Sequence, residues 1–135
     1  MQMFGKRKIE SFEIVTLRIS GMRHVTEYEI VMKDGKAEVS RYEIRFTQGK
    51  NVERVLEKSV VCGEEKALKL LNDCKLLSWN GFHGEHPRGV KDGTTFTLKA
   101  TVNGDKQIYA NGSQNFPRHY RDFTDGLYDI LNKGE

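Results

Sequence analysis

Two imidazoles and a carboxylate lie within four residues of one another, at His83, Glu85 and His86. Histidine and carboxylate side chains are common ligands of zinc and other transition metals, and His119 on a later segment could add to such a set. However, Gly84 marks this segment as a loop, where no helix face directs two ligands toward one point. We therefore expect no metal and no other cofactor. If a metal does bind, His83, His86 and His119 are the candidate ligands.

Two aromatic residues, Trp79 and Phe82, precede the histidines in a glycine-rich loop that extends over residues 79–89. Aromatic side chains in such a loop contribute a large contact area when a partner covers them. Trp79, Phe82, His83 and His86 are thus the candidate binding residues, for a protein or a small-molecule partner. The alternative is that both aromatic rings turn inward and belong to the core.

Three polar residues, Ser113, Gln114 and Asn115, stand between Gly112 and Pro117. Their side-chain oxygens can accept hydrogen bonds from the unpaired N–H groups at a helix start, and proline suits the first position of a helix. The pattern predicts a helix cap. The alternative is a site at which the same N–H groups bind an anion or a peptide carboxylate.

The two cysteines, Cys62 and Cys74, are twelve residues apart and form no C-x-x-C pair, which argues against a zinc knuckle or a redox disulfide. We expect them to be core residues, and a structural disulfide between them stays open. Glu85 with His86, or His119 with Asp122, could do acid–base work, but no nucleophile elbow, phosphate loop or dinucleotide fingerprint occurs. We name no catalytic residue, and the pattern favours a protein that is not an enzyme.

Basic residues are only slightly in excess, with 22 against 19 acidic residues and a net charge of +3. The stretch Lys6–Lys8 and the basic residues Arg118 and Arg121 lie near aromatic residues, as in nucleic-acid-binding surfaces. In the second segment, helical spacing places the aromatic residues on one stripe and the charges beside it, which a core with a solvated face explains. Nucleic-acid binding is therefore the alternative function and not the favoured one.

The composition, with 30% charged and 37% hydrophobic residues in 135, is typical of one globular domain. No apolar run is long enough to cross a bilayer and no signal-peptide core appears, so we expect a cytoplasmic protein with no membrane partner. Residues 1–8 are expected to be flexible.

Alternating apolar and polar residues predict that residues 9–62 are mainly strands. A change of phase at Ile14 and Val15 predicts a bulge, and Asp34-Gly35 predicts a tight hairpin turn. Residues 48–51 read as another turn. Residues 52–62 fit either a strand or a short helix, and we favour the strand.

Apolar spacing predicts a first helix over residues 64–75, after which residues 76–79 resemble a short strand. Asn103-Gly104 predicts a hairpin over residues 94–110, with the return strand at residues 106–110. A broad apolar stripe predicts a second helix over residues 117–132. The expected fold is α+β, with an antiparallel sheet formed by an N-terminal meander and a C-terminal hairpin, and two helices packed on one face.

The segment from about residue 60 to residue 131 resembles a set of small bacterial domains that have no assigned activity. The resemblance rests on three motifs: Trp-Asn-Gly-Phe at residues 79–82, Asp-Gly-Thr-Thr-Phe-Thr-Leu at residues 92–98 and Gly-Ser-Gln-Asn-Phe-Pro at residues 112–117. Asn80, Phe96 and Gln114 replace the Asp, Trp and Asn of that pattern. The resemblance implies a topology for this half of the chain and a bacterial source, and it implies no chemistry.

These features favour a protein-binding, ligand-binding or assembly module. The alternative is a nucleic-acid-binding accessory protein, and a metal-dependent enzyme is the least favoured class. An exposed sheet edge could pair with a second copy, so both a monomer and a homodimer stay open.

Overall fold

The computed structural model describes residues 8–21, 24–46, 52–90 and 93–133. In that part of the chain, seven strands form one sheet in the order β4-β3-β2-β1-β6-β7-β5. The strands are β1 (Phe12–Ser20), β2 (Val25–Lys33), β3 (Lys36–Phe46), β4 (Val52–Gly63), β5 (His83–Gly84), β6 (Thr95–Val102) and β7 (Lys106–Ser113). The helices are α1 (Glu64–Asp73) and α2 (Tyr120–Lys133), with a 3-10 turn at Leu76–Trp79. The predicted α+β class is confirmed.

The meander and the hairpin are both present, and the pairing of β1 with β6 joins them into one sheet. Strands β1 to β4 pair in chain order, and every pair among them, like β6 with β7 and β1 with β6, is antiparallel. The turn between β2 and β3 consists of Asp34 and Gly35, which both have positive φ, as a tight two-residue hairpin turn requires. The turn between β6 and β7 contains three residues, 103–105, and its Asn103 and Gly104 also have positive φ. These local turn predictions are confirmed.

The predicted bulge near the start of β1 is also confirmed, because the register of β1 against β6 shifts between Phe12 and Ile14. Strand β5 was not predicted. It pairs in parallel with β7 over only two residues, which makes the sheet mixed at that edge.

Both helices pack on one face of the sheet, which we call the inner face. The buried inner-face positions of the strands include Val15, Leu17, Ile30, Val39, Cys62, Leu98, Ala100, Ile108 and Ala110. The helices place Ala67, Leu71, Phe123, Leu127 and Leu131 against them. Side chains alternate along a strand, so the intervening positions form the opposite face, on which no described element packs. We call it the open face, and it includes Thr16, Arg18, Glu27, Tyr42, Leu56, Thr97, Lys99 and Tyr109.

Residues 76–79 form a 3-10 turn, so the predicted short strand is wrong. Lys75 adopts a left-handed conformation with φ 55°, which ends α1, and its carbonyl accepts a hydrogen bond from the Ser78 N–H at 2.9 Å. The turn brings Leu76 and Trp79, three residues apart, onto the same buried side. Apolar residues at that spacing suit a 3-10 turn, in which positions i and i+3 eclipse.

The second helix begins at Tyr120, so the predicted start at Pro117 is wrong. Pro117 lies in the preceding turn, where its carbonyl accepts a hydrogen bond from the Tyr120 N–H at 3.2 Å. His119 has φ 68°, which is incompatible with a right-handed helix at that position.

The strand interpretation of residues 52–62 is confirmed and the helical alternative is wrong, because β4 pairs with β3 along its length, with a bulge beside Lys58. The first helix ends at Asp73, two residues earlier than predicted, and β7 continues to Ser113.

Both cysteines are buried and no disulfide joins them. Residues 1–7 and the turn predicted at residues 48–51 lie outside the described residues. Among the described helices, none combines the length and the apolar character that a bilayer crossing requires.

Candidate functional site

Trp79 belongs to the core and is only 1% exposed. Its ring packs edge-on against Phe96 and Phe123, with centroid distances of 6.4 and 5.7 Å. Phe82 is half-buried and lies 6.2 Å from the same Phe96 ring. The alternative in which both aromatic side chains turn inward is thus the one observed, and Trp79 offers no surface to a partner.

Ser113, Gln114 and Asn115 bind the loop before β6 instead of the helix that follows them. The Gln114 Oε1 atom accepts a hydrogen bond from the Thr94 N–H at 2.6 Å, and the Asn115 Nδ2 group donates to the Glu85 carbonyl at 3.2 Å. Because α2 begins at Tyr120, these side chains lie too early to cap it, and the helix-cap prediction is wrong.

Two glycines permit the backbone at Asn115 to cross closely over β5 and β7. A Cβ atom added to Gly112 would lie 2.2 Å from the Asn115 carbonyl oxygen, and one added to Gly84 would lie 2.5 Å from it. The loop at residue 80 is fixed in a similar way, because the Asn80 Oδ1 atom accepts a hydrogen bond from the Tyr109 N–H at 2.9 Å. The motif residues therefore build a tight structural junction, and an aspartate at position 80 would supply the same acceptor oxygen.

The His83 ring lies beside Asn111, with 2.7 Å between Nδ1 and Oδ1. Because an amide oxygen can only accept, the His83 Nδ1–H donates, and Nε2 has no hydrogen-bond partner among the described residues. His86 uses both ring nitrogens: its Nε2–H donates to the Val90 carbonyl, and Nδ1 lies 2.8 Å from the Ser113 hydroxyl. In the neutral ring that hydroxyl donates to Nδ1.

The third histidine lies apart from these two. His119 contacts Asp122, with 3.0 Å between Nδ1 and Oδ2, and lines a separate cleft of about 690 Å³ beside the start of α2. The three imidazoles named as candidate ligands do not converge. Within the described residues, no group of three His, Cys, Asp or Glu side chains is arranged to hold a metal ion.

Two neighbouring clefts lie on the open face. The first, which we call the polar cleft, has a volume of about 510 Å³, and its lining includes His83, His86, Thr95, Thr97, Tyr109, Asn111 and Ser113. The second, which we call the cationic cleft, has a volume of about 350 Å³ and is lined by Thr16, Arg18, Glu27, Thr97 and Lys99. Because Thr97 lines both, the two clefts adjoin.

A network of ion pairs borders the cationic cleft. The Glu27 carboxylate, in a residue only 7% exposed, contacts Arg18 and Arg54, each at 3.0 Å. Arg54 also contacts Glu29 at 3.1 Å and stacks 3.6 Å above the Tyr42 ring. Burial alone would lower the pKa of Arg54, but the attraction of Glu29 and Glu27 outweighs it and raises that pKa. The network holds these side chains in fixed positions on the sheet.

Sequence reasoning located part of this site and missed the rest. It singled out His83, His86 and Ser113, which the structure brings together in the polar cleft. Arg18 and Lys99 were missed because each looks like one charged residue on the solvated side of a strand. The alternation placed each on the polar side of its strand, but only the pairing of β1 with β6 makes them neighbours.

Comparison of the chain with models of known protein families gives no match, and comparison with curated proteins gives none either.

Proposed function

We propose that the protein is a binding module that recognises a partner protein through the open face of its sheet. The observation that carries this proposal is the polar cleft, in which side chains of β5, β6 and β7 meet on a face that no described helix covers. The Nε2 atom of His83, which makes no hydrogen bond to the part of the chain that the structure describes, can accept one from a partner there. Tyr109, which is 48% exposed, adds an aromatic surface of the kind enriched in protein interfaces.

The shape of the site supports an extended segment of a protein as the bound group. Small-molecule sites enclose most of the surface of their ligand, whereas both clefts here are open and adjoin at Thr97 along the sheet. An extended peptide laid across the strands would contact both clefts at once.

The alternative of nucleic-acid binding has weaker support. Arg18 and Arg54 lie on the open face, but Glu27 and Glu29 neutralise them. A polyanion needs a row of uncompensated cations to release its counterions, and this face does not provide one.

Pairing of two copies through the β4 edge also has weak support. Charged residues Glu53, Arg54, Glu57 and Lys58 occupy that edge strand, which contains a bulge. Charges and bulges are features that oppose edge-to-edge pairing. The resemblance to bacterial domains and a cytoplasmic location remain part of the proposal as predictions of the sequence.

Affinity capture from the native cell tests the proposed function. His83→Ala removes an exposed imidazole from the polar cleft, and Tyr128→Ala removes a 57% exposed ring from α2, on the other side of the molecule. We expect a reproducible partner protein whose yield falls about tenfold with His83→Ala, as for an interface residue of intermediate importance, and does not change with Tyr128→Ala. A partner whose yield is insensitive to His83→Ala, or the absence of any reproducible partner, would contradict the proposal.

A further inference from the structure

We propose that the cationic cleft is an oxyanion site, in which Arg18 and Lys99 together hold one carboxylate or phosphate group. The proposal rests on the proposed function and names the chemistry of the partner: the recognised segment carries an anionic group where it passes Thr97. The hydroxyls of Thr16 and Thr97 supply further hydrogen-bond donors to the same group.

The register of β1 against β6 assembles these four side chains. Thr16 lies opposite Lys99 and Arg18 lies opposite Thr97, all on the open face. The two cations thus occupy one diagonal of a four-residue square and the two hydroxyls occupy the other. Diagonal neighbours on a sheet have Cα atoms about 7 to 8 Å apart, a span that long side chains such as Arg and Lys bridge readily.

Arg18 is held in position with donors to spare. Its Nε and Nη2 groups both donate to the Glu27 Oε1 atom, at 3.1 and 3.0 Å. The Nη1 group makes no hydrogen bond to the described part of the chain, and the side chain is 47% exposed. A guanidinium anchored in this way can offer its remaining N–H groups to an oxyanion with little loss of side-chain entropy.

Lys99 provides the charge that the network leaves uncompensated. No carboxylate in residues 8–21, 24–46, 52–90 or 93–133 lies within ion-pair distance of its ammonium group. The ion-pair network balances Arg18 and Arg54 against Glu27 and Glu29, and Lys99 lines the same cleft outside that network, so one positive charge remains. That excess matches a single anionic group, and it does not match a polyanion or a cation.

Titration of the full chain with simple anions, followed by NMR, tests this site. The probes are sodium phosphate and sodium acetate, with sodium chloride at matched ionic strength as the reference. We expect saturable shifts of the Thr16 and Thr97 signals with at least one of the two anions and none with chloride. The anion that binds more tightly distinguishes a phosphate-bearing partner from one that presents a carboxylate.

Three variants test whether the anion binds at the proposed residues. Lys99→Gln removes the unpaired cation and Thr97→Val removes one hydroxyl at nearly constant volume. We expect Lys99→Gln to weaken anion binding about tenfold, as for the loss of a charge-assisted hydrogen bond, and Thr97→Val to weaken it less. Lys106→Gln changes an exposed lysine beside the turn of the same hairpin, where it pairs with the buried Val102 and not with an open-face residue, and should leave binding unchanged.

The absence of saturable shifts, equal shifts with chloride, or equal weakening by Lys106→Gln would overturn the oxyanion site. The outcome is distinguishable from that of the capture experiment. Saturable binding that is lost in Lys99→Gln supports the site even if partner capture is insensitive to His83→Ala. Conversely, a partner that is captured through the polar cleft without any anion binding at Lys99 would remove this inference and leave the proposed function in place.

Discussion

At the scale of single residues, the close packing of the Asn115 backbone against β7 requires a residue without a Cβ atom at position 112. Gly112 lies between the Asn115 backbone and the Phe96 ring, and an added Cβ would approach them to 2.2 and 2.8 Å. The first of these contacts is to backbone, which cannot rotate away as a flexible side chain can. The Gly-Ser-Gln-Asn motif is therefore explained by packing before any function is invoked.

Gly112→Ala should consequently destabilise the fold by about 1 to 3 kcal/mol or more, the usual cost of overpacking. The measurement is the free energy of unfolding by urea. Gly63→Ala is the matched control, because a Cβ there meets nothing within 4 Å and the residue has φ −69°. Equal stability of the two variants would show that the junction is looser than the structure indicates.

Cys74 offers a second prediction at this scale. Burial of the thiol, together with the nearby carboxylates of Asp122 and Asp73, raises the pKa of Cys74 from its ordinary value of 9.0 to about 11. Because the folded pKa lies above the unfolded one, the thiol contributes stability that is fully present below pH 9. That contribution is lost as the pH rises from 9 to about 11.

In the Cys62→Ala variant, where Cys74 is the only cysteine, thiolate absorbance in the folded protein should rise with a midpoint near pH 11. The same titration in denaturant should give a midpoint near the ordinary value of 9.0. Coincident midpoints would contradict the burial of this thiol in the core.

At the scale of elements, two asparagine side chains hold the segment before β1, together with a backbone hydrogen bond from the Asn103 N–H to the Ser11 carbonyl at 2.9 Å. The Asn103 Oδ1 atom accepts hydrogen bonds from the N–H groups of Glu10 and Ser11, at 2.7 and 3.2 Å. Asn72 on α1 binds the preceding residue, since its Oδ1 atom accepts a hydrogen bond from the Ile9 N–H at 2.8 Å. The β6–β7 turn therefore has a second role as a clamp on the other end of the chain.

Asn103→Gly keeps the positive φ that the turn requires but removes the clamp. We expect trypsin to cleave after Lys8 faster in this variant, because a segment must open locally before a protease can cut it. Asp34→Gly is the control, since it makes the same change at the turn between β2 and β3. A cleavage rate at Lys8 that is unchanged by Asn103→Gly would show that Asn72, the burial of Ile9 and the backbone hydrogen bond from residue 103 to Ser11 suffice to hold the segment.

The elements also show where sequence-based prediction succeeds. Hairpin turns were predicted correctly, because Asp34-Gly35 and Asn103-Gly104 determine their conformation through local sterics. The start of α2 was predicted wrongly. Pro117 is buried and His119 adopts a left-handed conformation, and no local sequence motif indicates either feature. The turn at Leu76–Trp79 was missed for a similar reason, since a short apolar run suits several local structures.

At the scale of the whole molecule, the pairing of β1 with β6 creates the proposed site. These strands are separated by some eighty residues in the chain, and their register places Arg18 and Lys99 on one face. Composition and alternation could predict that this face is polar, but they could not predict which polar residues meet. The α+β architecture was thus predictable, whereas the adjoining clefts on the open face required the structure.

The central claim, that the open face is the binding surface, is tested most directly by site-specific photo-crosslinking in the native cell. A photoreactive amino acid is placed at Tyr109 on the open face or at Tyr128 on α2, two tyrosines of similar exposure at 48% and 57%. We predict one discrete crosslinked species of higher mass from position 109, containing a second protein, and none from position 128. Crosslinking from position 128 alone, or equally from both positions, would contradict the assignment of the open face as the binding surface.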